Sequence, residues 1–165
     1  MEPLFQITTT LAFIGAGTIG GVFFAFSSFV LKALARLPAS QGIVAMQSIN
    51  VIVINPSFLG VFLGTAALSL GSAGIAYTQW GTTPALYLFG GSLFYLVGTL
   101  LVTIAANIPL NDRLAILDAT DTDTDAGVEW KHFVNRWSRW NHVRTASALV
   151  AALLFCMALV QAGNA

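Results

Sequence analysis

Charge is what this sequence has least of. Only 8% of its 165 residues are Asp, Glu, Lys or Arg, where a soluble domain carries about a quarter. Seven basic and seven acidic residues cancel, so no net field would gather a polyanion, and no basic cluster alternates with exposed aromatics. Nucleic acid is excluded as a partner on these grounds. Cysteine is nearly missing too: Cys156 stands alone inside an apolar run, which excludes an intrachain disulfide framework and a thiolate zinc site and leaves the redox compartment unreadable. Of the two histidines, His132 and His142, neither helps the other: ten residues along one helix is about 15 Å, too far to share a metal or bracket a haem. We expect no metal and no cofactor. Met1-Glu-Pro-Leu-Phe5 also lacks the basic start of a secretory signal, so the uncharged run from Pro3 to Leu31 reads as a retained helix, with cleavage after Ala33-Leu-Ala35 as the minor alternative.

What is present is apolar. At 56% hydrophobic residues and a mean hydropathy of +0.79, the chain reads as one all-α integral membrane domain, residues 1–165, built as a four-helix bundle. A crossing needs about 20 apolar residues, and four stretches qualify: about 7–31, 57–78, 85–106 and 145–163. Short interfacial helices are expected in the first and third connections, about 40–54 and 128–143; the first is too short to span and the second has a broad aromatic stripe opposed by basic residues. Asn55-Pro56 suits a cap and first turn. Gly15-Ala-Gly17-Thr-Ile-Gly20 matches a dinucleotide fingerprint only as text, because no strand precedes it; close packing through Ala16, Gly17, Gly20, Gly21 and Ala25 is the better reading. Gly60, Gly64, Ala67, Gly71 and Gly74 form a second stripe, expected to be a helix seam. Asp121, Asp123 and Asp125 imitate the start of a calcium loop, but Ala126 and His132 stand where glycine and glutamate are required.

All seven Lys and Arg residues fall in the first and third connections. The positive-inside rule then puts both termini outside, in a cell membrane, and gathers Gln47, Asn50, Asn107, Asn111 and the Trp137–Thr145 stretch at one end of the bundle. A pocket is expected there. Ionisable groups at a membrane boundary are expensive and mark function by default, which singles out Arg144 and its neighbours Asn141 and His142. Each has a bland alternative: Arg144 snorkelling to a lipid phosphate, His142 a hydrogen-bonded structural residue, Trp137 and Trp140 an interfacial belt, and the carboxamides caps or interhelical hydrogen bonds.

Gly42-Ile-Val-Ala-Met-Gln-Ser-Ile-Asn50, Asn55-Pro56, Asn107-Ile-Pro-Leu-Asn111 and Trp140-Asn-His-Val-Arg-Thr145 together resemble the small bacterial membrane proteins grouped with the fungal anthrone oxygenases. The resemblance runs from about Gly21 to Leu159. It implies conversion of the central methylene of an anthrone to a ketone without flavin or metal, with Asn141, His142 and Arg144 as the catalytic group. Trp137, Trp140, Gln47, Asn50, Asn107 and Asn111 would hold the substrate. An anthrone is flat and acidic at its benzylic carbon, so His142 would act as base while Arg144 and Asn141 receive the oxyanion. The expected partners are membrane lipids and an apolar aromatic small molecule, with a homo-oligomer left open. A non-catalytic scaffold or carrier subunit, and more weakly a quinone- or haem-linked electron-transfer subunit, are the alternatives.

Overall fold

Where a chain carries no charge for 75 residues, from Leu37 to Asn111, the backbone must satisfy its own hydrogen bonds, and the helix is the open-chain solution in lipid. The computed structural model describes residues 3–119 and 124–164, with only the backbone of residues 124 and 125. Asp121 and Asp123 of the rejected calcium motif lie outside the described residues, as does the side chain of Asp125. Among the described residues there is no strand. Five helices follow one another: α1, Pro3–Leu34; α2, Ala39–Ile52; α3, Pro56–Thr78; α4, Thr83–Ala115; and α5, Thr124–Gly163. All but α2 are long and apolar enough to cross a membrane. The four pack in a ring, α1 on α3, α3 on α4, α4 on α5 and α5 on α1.

Local chemistry sets the boundaries. Asn55 caps α3, its Oδ1 accepting from Phe58 N at 3.0 Å, with Pro56 in the first turn. Thr82 does the same for α4 through Ala85 N. Gly81 between them has φ +94°, a left-handed value that glycine adopts without steric cost. The third span, expected at about 85–106, continues to Ala115. Wide π-helical turns at Phe94–Leu101 and Thr103–Asn107 precede Pro109, and by shifting the hydrogen-bond ladder they let the helix run on past the missing N–H. Residues 128–143 continue directly into 145–163. They are one helix of 40 residues, about 60 Å long, so its first turns stand beyond the roughly 30 Å of hydrocarbon.

Two apolar clusters hold the ring. One fills the bundle, with Phe23, Phe62, Leu88, Tyr95 and Phe155 among small residues such as Ala12, Ala16, Ala151 and Ala158. The other closes the end bearing the connections, where Ile43 and Met46 of α2 meet Leu110 and Leu114 of α4 and Trp130, Phe133 and Trp137 of α5. Close approach depends on a few glycines. A Cβ at Gly20 would meet Leu149 at 2.8 Å, one at Gly91 would meet Phe155 at 2.9 Å, and one at Gly15 would run into Thr65.

The expected glycine seam of α3 is not one. A Cβ at Gly60, Gly64, Gly71 or Gly74 would meet nothing, and α3 instead buries Phe62, Thr65, Ala66, Ser69, Ser72 and Ala76. Both stripes have helical spacing, so spacing alone does not choose between them. The inward stripe works because its hydroxyls bond back to their own helix, Thr65 to Val61 O at 2.7 Å and Ser69 to Thr65 O at 2.8 Å, and so cost little to bury. In α1, likewise, Ala16 and Gly20 pack, whereas Gly17 and Gly21 meet nothing.

Candidate functional site

Helical phase decides which side chains of α5 face inward. Trp137, Asn141 and Arg144 follow one another at steps of four and three, which stacks them on one stripe, and all three are buried. His142 lies 100° further round and is exposed; Trp140, on the opposite flank, is 39% exposed.

Asn141 is the hub. Its Nδ2 donates to Phe23 O and to Ser27 Oγ, both at 2.8 Å, and its Oδ1 accepts from Arg144 Nη2 at 2.7 Å. Thr145 Oγ1 donates to Asn141 O at 2.8 Å and lies 3.0 Å from Ser27 Oγ. On the α1 side this happens where the π-helical turn Phe26–Val30 begins, the kind of local widening that collects at functional sites. The other wide turn beside the site supplies Thr103, whose Oγ1 accepts from Arg144 Nη1 at 3.3 Å.

Arg144 is 5% exposed. Its guanidinium carbon lies 4.1 Å from the centre of the Phe23 ring and 5.1 Å from that of Trp137, so two π faces partly replace the water it has lost. Among the described residues its hydrogen-bond partners are Asn141 and Thr103, and neither carries charge. A buried cation whose described partners are all neutral is an unbalanced charge.

That charge sits at the wall of a cavity of about 250 Å³. Phe23, Phe26, Phe58, Phe62 and Trp137 give it five aromatic rings; Met46, Ile49, Val53 and Ile108 add aliphatic surface; Asn50, Thr103, Asn111 and Arg144 are its polar groups. The rings pack on one another, Phe58 on Phe62 at 5.7 Å in a stack and Phe26 on Trp137 at 5.6 Å, which fixes the lining before any ligand arrives.

The residues singled out in the sequence therefore separate. Arg144, Trp137, Asn50 and Asn111 line the cavity, and Asn141 stands behind Arg144. Asn111 also accepts from Trp137 Nε1 at 2.9 Å, and so orients the indole. Asn107 is fully buried, with Nδ2 on Trp137 O at 3.4 Å and Oδ1 unpartnered; it supports the α4–α5 contact but does not line the space. Gln47 donates to Leu114 O and Leu117 O at 2.9 and 3.0 Å, covering carbonyls that the end of α4 would leave bare. His142 and Trp140 are not brought to the cavity. A general base must come within hydrogen-bond reach of the proton it takes, and His142 lies on the outer face of α5. Sequence reading missed Ser27, Thr103 and the phenylalanines. Ser27 and Thr103 are hydroxyls inside apolar spans, a usable signal; nothing distinguished Phe23 or Phe62 from the other ten phenylalanines of the chain. Among the described residues no three His, Cys, Asp or Glu side chains come together.

Four apolar helices around a buried guanidinium define a multi-pass helical membrane protein with an internal aromatic cavity. The family model for anthrone oxygenase matches residues 50–154, a span that contains α3 and α4, most of α5, and Asn50, Asn111, Trp137, Asn141 and Arg144. The chain belongs to the anthrone oxygenase family. No curated protein matches it, and no solved structure does.

Proposed function

We propose that the cavity binds a flat, apolar aromatic molecule bearing an acidic oxygen, and that the chain oxidises an anthrone-type methylene to a ketone. One atom of O2 enters the carbon and the other leaves as water with the two hydrogens. The observation carrying this reading is a buried guanidinium whose partners among the described residues are all neutral, at the wall of a five-ring cavity. Loss of a benzylic proton from an anthrone moves charge onto its oxygen, and a preset donor at that oxygen lowers the barrier. Arg144 is that donor, Asn141 fixes it, and Phe23, Phe62 and Trp137 hold the ring plane. Water takes the benzylic proton, and the electron-rich carbon bonds to O2. The resulting peroxide takes a proton back, and loss of the remaining benzylic hydrogen with cleavage of the O–O bond releases water and leaves the ketone. By its basic residues the chain is oriented with both termini outside.

One observation favours a second reading. The cavity lining contains neither imidazole nor carboxylate, so a carrier that holds the same ligand without turnover fits the same walls. Oxygen consumption decides between them. Wild-type vesicles given an anthrone should lose it and gain anthraquinone absorbance in air but not under argon. Arg144→Lys, at equal membrane level, should be slower by about 10² or more, the usual effect of losing an oriented oxyanion donor. Absence of oxidation by wild type across several anthrones selects the carrier.

A further inference from the structure

We infer that the ligand of this cavity arrives sideways from the hydrocarbon of the bilayer and is a lipophilic acid, passing between Ile54 and Ile108 with its acidic oxygen ahead of its apolar body. This rests on the cavity being a ligand site, as proposed above, but not on any turnover there.

The mouth is apolar. Ile54 and Ile108 line the cavity and are also 70% and 43% exposed, so they mark where the space meets the outside of the bundle. Val51 and Ile52 on one side and Ile104 on the other are exposed as well. Both flanks come from the stretch between Leu37 and Asn111 that has no charged residue. Exposed apolar side chains of this kind, at the end of α2, in the turn before α3 and on the spanning helix α4, face lipid, because water would leave them unsolvated.

The inner end has the opposite character. Arg144 offers a positive charge whose described contacts, Asn141, Thr103 and two rings, are all neutral. A neutral lipid or hydrocarbon would fill the walls and leave that charge unmatched. An acid matches both ends at once, its oxygen with the guanidinium and its body with the rings and the mouth. At about 250 Å³ the space falls just short of the roughly 300–1,000 Å³ of common ligand sites, so a longer body trails through the mouth into the hydrocarbon.

The test uses the full chain in phosphatidylcholine vesicles, with Trp80→Phe and Trp140→Phe so that Trp130 and Trp137 report. The probes are 9,10-dibromostearic acid, its methyl ester, and acrylamide in the water. Dibromostearic acid should quench with a saturating phase that the ester lacks, and Trp137→Phe should remove that phase. Arg144→Met should raise the half-saturating mole fraction at least tenfold, and Ile54→Phe with Ile108→Phe should slow the approach to saturation. Equal saturation by acid and ester would overturn the acid, a saturating phase that survives Trp137→Phe would overturn the site, and quenching of Trp137 by acrylamide in place of the lipid probe would overturn the route. The acid-to-ester comparison needs no Arg144 variant, so misfolding of that variant does not shield the inference. The two readings also fail separately: a chain that never oxidises anthrone must still take up the acid.

Discussion

Asn141 Oδ1 accepts a 2.7 Å hydrogen bond from Nη2 of Arg144, three residues further along α5, while its Nδ2 holds Phe23 O of α1 at 2.8 Å. One carboxamide thus ties the guanidinium of one helix to the backbone of another. Fixing a free arginine costs about 2 kcal/mol of rotamer freedom; here the fixing is done on folding, so an oxyanion bound beside it would meet a donor already in place.

Replacing that carboxamide separates folding from binding. Asn141→Leu strands Phe23 O and one donor of Arg144, and each buried unmatched group costs about 1–3 kcal/mol. The melting temperature should fall clearly. Asn141→Asp loses the bond to Phe23 O but gives Arg144 an internal counter-charge, so it should melt closer to wild type and yet take up no acidic ligand. Thermal melts and ligand titration of the two variants, side by side, check both halves.

Trp137→Phe keeps a six-membered ring in the wall but removes the pyrrole ring and with it the N–H that reaches Asn111 at 2.9 Å. A neutral hydrogen bond is worth about 0.5–1.5 kcal/mol and the space left in a buried wall adds to that cost, so a clear loss of stability with a ligand affinity within a few-fold is expected. Denaturant midpoints and anthrone binding under argon measure the two.

His142→Ala should be nearly silent. The imidazole is exposed on the outer face of α5, and an exposed substitution away from special features changes stability by about 0.5 kcal/mol or less. Loss of a working base would instead slow turnover by about 10² to 10⁴, so the rate of anthrone oxidation separates the two outcomes.

Reporter fusions after Gly81 and Ala165 test the orientation. With every basic residue near the end of the bundle that bears the first and third connections, both fusions should be active only as periplasmic or outer-side reporters. Cytoplasmic activity at either would reverse the orientation or change the number of crossings.

Much of the fold was legible because composition and run length are global signals: the four crossings, the Asn55 cap and the convergence of Asn50, Asn111 and Trp137 all follow from hydropathy, turn chemistry and charge placement. Continuity was less so. Pro109 reads as a stop, and only the wide turns before it, which have no sequence signature, let α4 continue to Ala115. The packing face of α3 was misread because small residues fall at helical spacing on two sides and lipid, unlike water, does not mark the outer one. At the site, Arg144 and Asn141 stood out as polar groups bordering an uncharged span. His142 stood out for the same reason but fell on the wrong side, since adjacency in sequence says nothing about the 100° between neighbours on a helix. Phe23 and Phe62 became visible only once α1 and α3 were seen to face Arg144.

The central claim is that Arg144 is the ligand's partner and not merely a buried charge. Equilibrium binding of an anthrone to wild type and to Arg144→Met, in vesicles under argon so that nothing is oxidised, tests it most directly. A hydrogen bond to a charged group is worth about 1.5–3 kcal/mol, so affinity should fall by about 10- to 100-fold, while removal of an unbalanced buried charge offsets the stranded Asn141 Oδ1 and keeps the melting curve close to that of wild type. Equal affinity in two equally folded proteins would contradict the account.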